Sequence, residues 1–196
     1  MADIQGSFLY ENLHTTQQVI DIKLFFEKLL VEENFDIIIE LGTSFGGLTY
    51  ILDDIVKENH LTHNIHTFDF SYKNYVDSFL KERGCHYYIL DERESVYKHT
   101  VQELIEAHKK VLLLCDGGNK KEEFNLYSKY IKSGDIIMAH DYCESVEIFE
   151  GEIKNKIWDW FEISYEDIKN SVLNNDLVKY NKVDFKRAVW ACYIKQ

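Results

Sequence analysis

Between Ile37 and Val56 the chain reads "IIIELGTSFGGLTYILDDIV", and three of its nine glycines, Gly42, Gly46 and Gly47, fall within six positions. A glycine turn directly after an apolar strand lets backbone and ligand approach closely, at the end of a parallel sheet where ligands bind. A pyrophosphate site would want G-x-G-x-x-G there, but Ser44 takes the middle glycine's place, and Glu40 at the strand end would repel a pyrophosphate. A cationic cofactor tolerates that carboxylate. Other acids end apolar runs in the same way: Asp69 in "HTFDF", Asp91 just past "HYYIL", Asp116 in "VLLLCDGGNKKEE", and Asp141 beside His140 in "IIMAHDY". Gly117 and Gly118 after Asp116 would leave backbone open to a substrate. Each feature also has an ordinary structural explanation. The glycines can make a tight turn with no ligand, Asp116 can cap the next loop, and His140 or Asp141 can bond neighbouring backbone. Lys120, in "NKKEE", has the usual look of a solvated helix start.

The elements that would position these residues follow from periodicity. Thr15 and Gln18 have capping-box spacing, and Val19, Ile22, Phe26, Leu29 and Leu30 share a helical face, which predicts a helix from about Thr16 to Val31. "FDIIIE" reads as a buried parallel strand, and Leu48, Ile51, Leu52, Ile55 and Val56 mark the helix after the glycines. Strand and helix then alternate: "NIHTFDF", a helix over 72–83, "HYYIL", a helix over 95–109, "VLLLCD", "KEEFNLYSKYI" and "DIIMAH". Five strand-then-helix units predict an α/β fold with a doubly wound parallel sheet. After a helix in "DIKNSVLNND", the runs "LVKYNKVDF" and "AVWACYIKQ" leave no room for a crossover, so they should pair antiparallel at the sheet edge. "IWDWFEIS" is apolar and aromatic without a clear period.

Composition narrows the partners. The chain of 196 residues has no linker-like segment and should form one domain over 1–196, with 1–35 as an N-terminal helical segment. A net charge of −12 without a basic cluster argues against a nucleic-acid backbone. With no apolar run of membrane-spanning length and no leader-like start, a soluble cytoplasmic protein without a membrane partner is expected. Cys85, Cys115, Cys143 and Cys192 lack metal-site spacing and read as reduced structural thiols. The remaining histidines, His60, His63, His66, His86, His99 and His108, read as surface or strand residues.

The glycine loop resembles motif I of class I S-adenosylmethionine-dependent methyltransferases, in the E-x-G-x-x-x-G form of small-molecule O-methyltransferases. "ELGTSFGGLT", "VLLLCDGGNKKEEF", "YIKSGDIIMAHDY" and the closing "WACYIK" narrow the resemblance to the cephalosporin hydroxylase or macrocin O-methyltransferase-like family. It implies a Rossmann-like, mostly parallel seven-stranded sheet ending in an antiparallel hairpin. It also implies S-adenosyl-L-methionine at Glu40, Gly42, Thr43, Ser44 and Gly46, with Asp69 on the ribose hydroxyls, Phe70 on the adenine face, Asp91 near the adenine amino group and Asp116 beside the cofactor. In the same resemblance Asp116, His140 and Asp141 hold a divalent metal. Where this chain has His140 the related families carry an acid, and imidazole suits manganese better than magnesium, so either ion stays open. Asp116 and Asp141 would then be catalytic, with Lys120 or His140 as the base for a hydroxyl on a small-molecule or glycan acceptor. Trp158, Trp160, Phe161 and Tyr165 would wall the acceptor or pack on the sheet. A nucleotide-dependent oxidoreductase on the same sheet, and a non-catalytic S-adenosylmethionine-binding protein, are the alternatives; a homo-oligomer is left open.

Overall fold

The structure, a computed structural model, describes residues 8–11, 14–91 and 94–196. A small antiparallel hairpin, β1 (Phe8–Tyr10) and β2 (His14–Thr16), precedes α1 (Ile22–Glu32). Then come β3 (Ile37–Leu41), α2 (Gly47–Glu58), β4 (Asn64–Asp69), α3 (Asn74–Arg83), β5 (His86–Ile89), α4 (Ser95–Ala107), β6 (Val111–Cys115), α5 (Lys120–Tyr127) and β7 (Ile136–Ala139). The second part of the chain holds β8 (Tyr142–Cys143), α6 (Val146–Ile148) running into a π-turn, β9 (Ile163–Ser164), α7 (Tyr165–Asn174), β10 (Leu177–Lys179) and β11 (Ala191–Lys195).

Seven strands form one sheet in the order β10-β11-β7-β6-β3-β4-β5. The pairs β5–β4, β4–β3, β3–β6 and β6–β7 are parallel, whereas β11 runs antiparallel to β7 and β10 antiparallel to β11. The strand order reverses between β3 and β6, which leaves a crevice at their carboxyl ends. All of β3 and β6 is buried, because helices cover both faces. On one face Phe26, Leu29, Ile51 and Ile55 of α1 and α2 pack on Ile38, Leu112 and Met138. On the other, Val101, Phe124 and Ile168 of α4, α5 and α7 pack on Ile37, Ile39 and Leu113. Each such aliphatic or aromatic side chain contributes about 1.5–3 kcal/mol on burial, so the strand ends are held by a stiff frame.

Two sequence expectations change. The first helix begins at Ile22, not near Thr16, and its N-cap Asp21 makes no capping bond. Thr15 and Thr16 are β-branched and pair instead with Leu9 and Phe8, while the Gln18 side chain is drawn into the core of the site. Residues 1–7 and 12–13 of the expected helical segment 1–35 lie outside the described residues. The antiparallel tail forms as expected, but its strands are shorter. Val183 and Phe185 leave the strand run to bury against the α1 face, so a one-turn 3-10 helix, Phe185–Ala188, stands between β10 and β11.

Candidate functional site

Gly42 follows β3 with a φ of +99°, and a Cβ there would lie 2.2 Å from the Asp116 carbonyl oxygen. Only glycine lets the ends of β3 and β6 approach so closely. Ser44 is also left-handed, with a φ of 51°, and its N–H donates to Asp69 Oδ2 at 2.8 Å. Gly46 then N-caps α2, and Gly47 packs against Thr15 of the N-terminal hairpin, where a Cβ would lie 2.4 Å from the Thr15 carbonyl oxygen. The three glycines are thus spent on three close approaches.

The turn opens into a cavity of about 540 Å³ at the carboxyl ends of β3, β4, β6 and β7. Glu40, Gly42, Thr43, Ser44, Asp69, Phe70, Asp116, Lys120, His140 and Asp141 all line it. Gly46 lies behind the lining, against the ring of Phe79. Asp91 is not in the lining either; Leu90 and Tyr97 stand at that wall. Gly117 and Gly118 both line the cavity, although the Gly117 N–H is taken by Glu123 Oε2 at 3.2 Å and a Cβ there would strike that carboxylate.

Glu40 is buried and its Oε2 accepts from the hydroxyls of Thr49 and Thr67. Burial and the neighbouring charges of Asp116 and Asp69 outweigh those bonds and push its carboxyl up to about 8. Asp69 is already occupied, since Oδ1 takes the Ser71 N–H at 2.8 Å and Oδ2 the Ser44 N–H. It therefore shapes the glycine turn as well as facing the cavity.

At the other end of the cavity, Asp116 Oδ1 lies 3.0 Å from His140 Nδ1, which donates to it, and Asp116 Oδ2 accepts from Gln18 Nε2 at 2.9 Å. Asp141, with a φ of 54°, accepts from Trp158 Nε1 at 2.5 Å. Burial lowers the basicity of His140, but Asp116 and Asp141 outweigh it and hold the imidazole above its ordinary pKa. Burial likewise raises Asp141, and His140 and Lys120 more than reverse it. One donor atom from each of Asp116, His140 and Asp141 falls within 4.8 Å of the others. The 3.0 Å between Asp116 and His140 is the spacing of adjacent ligands around an ion with bonds of about 2.1 Å.

Lys120 is not the solvated helix start that its run suggests. Its ammonium is buried, 3.1 Å from Asp141 Oδ2, 3.8 Å from Asp116 Oδ1 and 3.0 Å from Glu162 Oε2. Burial would favour the neutral amine, yet these acids raise its pKa, so Lys120 stands as a cation and not as a free base.

Four contributors escape sequence reading as site residues: Gln18, Trp190, Glu162 and, as a partner of Asp141, Trp158. Trp190 Nε1 donates to Gln18 Oε1 at 2.9 Å, which turns the Gln18 amide nitrogen to Asp116. The Trp190 ring also lies 4.8 Å from that of His140, so Gln18, Asp116, His140 and Trp190 close a ring of contacts. Of the expected aromatic wall, Trp158 and the half-exposed Trp160 line the cavity, whereas Phe161 stacks on Phe149 and Tyr165 packs under the sheet.

The fold is a Rossmann-like one that this chain shares with solved methyltransferases. CmcI, in its structure with Mg and SAM, is 13% identical over 94% of this chain and 76% of its own, with a TM-score of 0.62. A candidate caffeoyl-CoA O-methyltransferase from Staphylococcus aureus is 12% identical over 89% of this chain and 83% of its own, at 0.58. MycE methyltransferase of the mycinamycin biosynthetic pathway, solved with Mg, SAH and mycinamycin VI, is 12% identical over 87% of this chain, which spans 48% of MycE, at 0.56. No family model matches the sequence, and neither does any curated protein. Among the described residues no helix is long and apolar enough to cross a membrane, and all four cysteines are buried and free.

Proposed function

We propose that this chain transfers a methyl group from S-adenosyl-L-methionine to a hydroxyl of a small molecule or sugar, with a divalent cation at Asp116, His140 and Asp141. The observation that carries the reading is one continuous cavity joining the glycine turn and Asp69 to the Asp116–His140–Asp141 cluster. Its volume suits a cofactor and a small acceptor. Acids surround it, and Lys73, the lysine beside the turn, is tied to Asp69 and Ser71, so a sulfonium fits where a pyrophosphate does not.

The residues have mainly to orient, because displacement at a methyl carbon requires donor and acceptor in line. The glycine turn, fixed by Asp69 through Ser44, would hold the donor end. Phe70, Leu90 and Tyr97 offer apolar walls, and Trp158 and Trp160 exclude water at the acceptor end. When bound by Asp116, His140 and Asp141, a divalent ion lowers the pKa of a coordinated hydroxyl. Asp141 is kept ionised by His140 and Lys120, and Asp116 is oriented by Gln18. The net charge and the absence of a basic stripe favour a small hydroxylated acceptor over nucleic acid.

Native mass spectrometry with S-adenosylmethionine, S-adenosylhomocysteine or NAD tests the cofactor class, and a bound NAD mass would favour the oxidoreductase alternative. Asp69→Asn should weaken S-adenosylhomocysteine binding by about 1–3 kcal/mol. A methylation panel of hydroxylated small molecules, protein and RNA tests the acceptor. Robust RNA methylation that is lost at high salt would overturn the acceptor assignment.

A further inference from the structure

Lys120 is the first residue of α5, where a cation faces the positive end of the helix dipole. Something must offset that placement. Its ammonium turns into the cavity and sits among Asp141 Oδ2 at 3.1 Å, Glu162 Oε2 at 3.0 Å and the Gly117 carbonyl oxygen at 3.4 Å, with Asp116 Oδ1 at 3.8 Å. Among the described residues it is the one lysine within 4 Å of Asp116 or Asp141. The two acids of the candidate metal cluster are therefore already sharing a positive charge. Glu162 differs from them: its side chain is 48% exposed, and it lies on the segment entering β9, outside the cluster.

We infer that Lys120 is a resident counter-cation, which a divalent ion must displace from Asp141 and Asp116 and which Glu162 retains when it leaves. The inference rests on the proposed metal site, but it makes its own prediction about affinity. Two cations cannot share the same pair of carboxylate oxygens without strong repulsion, so the ammonium sets a threshold for ion entry. Without an ion, it keeps the two acids from repelling each other and the fold intact. With one, its chain of four methylenes lets the charge move towards Glu162 while staying paired.

The test is Mn2+ titration by electron paramagnetic resonance on the full chain, with thermal unfolding of each variant as a check. Lys120→Met should bind Mn2+ at least about tenfold tighter than the wild type, a gain of roughly 1.4 kcal/mol. Glu162→Gln should bind it several-fold more weakly, because the displaced ammonium loses its second partner. Asp116→Asn should abolish binding in the wild-type and Lys120→Met backgrounds alike. A folded Lys120→Met protein with unchanged or weaker Mn2+ affinity overturns the inference, as does absence of binding in both proteins. Should Lys120→Met not fold, acetylation of Lys120 in the wild type, followed by mass spectrometry, decides: labelling should rise on adding Mg2+, and unchanged or reduced labelling overturns the displacement. S-adenosylhomocysteine calorimetry on the same samples separates the two levels. Its failure with Mn2+ behaviour as expected rejects the methyltransferase reading and leaves the counter-cation standing.

Discussion

The amide of Gln18 meets the carboxylate of Asp116 across 98 positions of sequence, at 2.9 Å, and it meets it nitrogen first because Trp190 occupies its oxygen. Gln18→Ala removes a charge-assisted bond from a mostly buried carboxylate and should cost about 1–3 kcal/mol of stability. Gln18→Glu keeps an acceptor for Trp190 but sets a second carboxylate against Asp116, so its loss should be larger. Chemical denaturation of the two variants checks the order, and equal losses would mean that Asp116 does not feel the amide.

Glu40 is held protonated at neutral pH by burial and by the negative charges of Asp116 and Asp69, with its carboxyl near 8. A cationic cofactor bound beside it lowers that value, so binding at pH 7 should release up to about one proton, whereas binding at pH 9 should release none. Calorimetry of S-adenosylmethionine binding in buffers of different ionisation enthalpy measures the release. Glu40→Gln should abolish it, and proton uptake at pH 7 would contradict the placement of the positive charge.

Gly42→Ala should destabilise the chain by about 2–4 kcal/mol, since the new methyl combines an unfavourable φ of +99° with a collision against the Asp116 backbone. The urea midpoint reads this directly. A near-neutral result would mean that the ends of β3 and β6 can separate without penalty.

His66 stacks on His86 at 4.3 Å, with Tyr88 Oη 3.0 Å from its Nδ1. Burial, with His86 and His108 nearby, lowers its pKa to about 4. Between pH 6.5 and 4 the unfolded chain binds a proton that the folded chain refuses, so this contribution to stability is full above pH 6.5 and falls as the pH drops. The loss should amount to about 1–3 kcal/mol. His66→Leu should flatten the slope of unfolding free energy between pH 6.5 and 5; an unchanged slope would assign it to other groups.

The sheet and half of the site are legible in the sequence because both follow from local rules. Apolar runs such as "DIIIE" and "VLLLC" can only be buried strands, and the strand ends then place Glu40, Asp69, Asp116, His140 and Asp141 at one rim. What sequence hides is the partner of each acid. Gln18 sits in a stretch whose spacing imitates a helix cap, and Glu162 follows an aromatic run with no period. The mistaken early start of α1 has the same origin, since Thr15 and Gln18 satisfy a local pattern that the hairpin and the Asp116 contact override. Lys120 shows a further limit: its neighbours in sequence are ordinary helix-start residues, while three acids decide its burial, two of them brought by β7 and the approach to β9.

The contact between Gln18 and Trp190 also spans 172 positions. On the ribosome the chain can lay down β3, β4 and β6 and bury most of their apolar faces while residue 190 is still inside the exit tunnel. Gln18 cannot yet be turned by its indole partner, so the orientation of Asp116 is supplied only after β3, β4 and β6 have been made. A nascent chain would thus carry the cradle well before it could align the acids, and ligand capture by a half-made chain would be discouraged by the order in which its parts emerge.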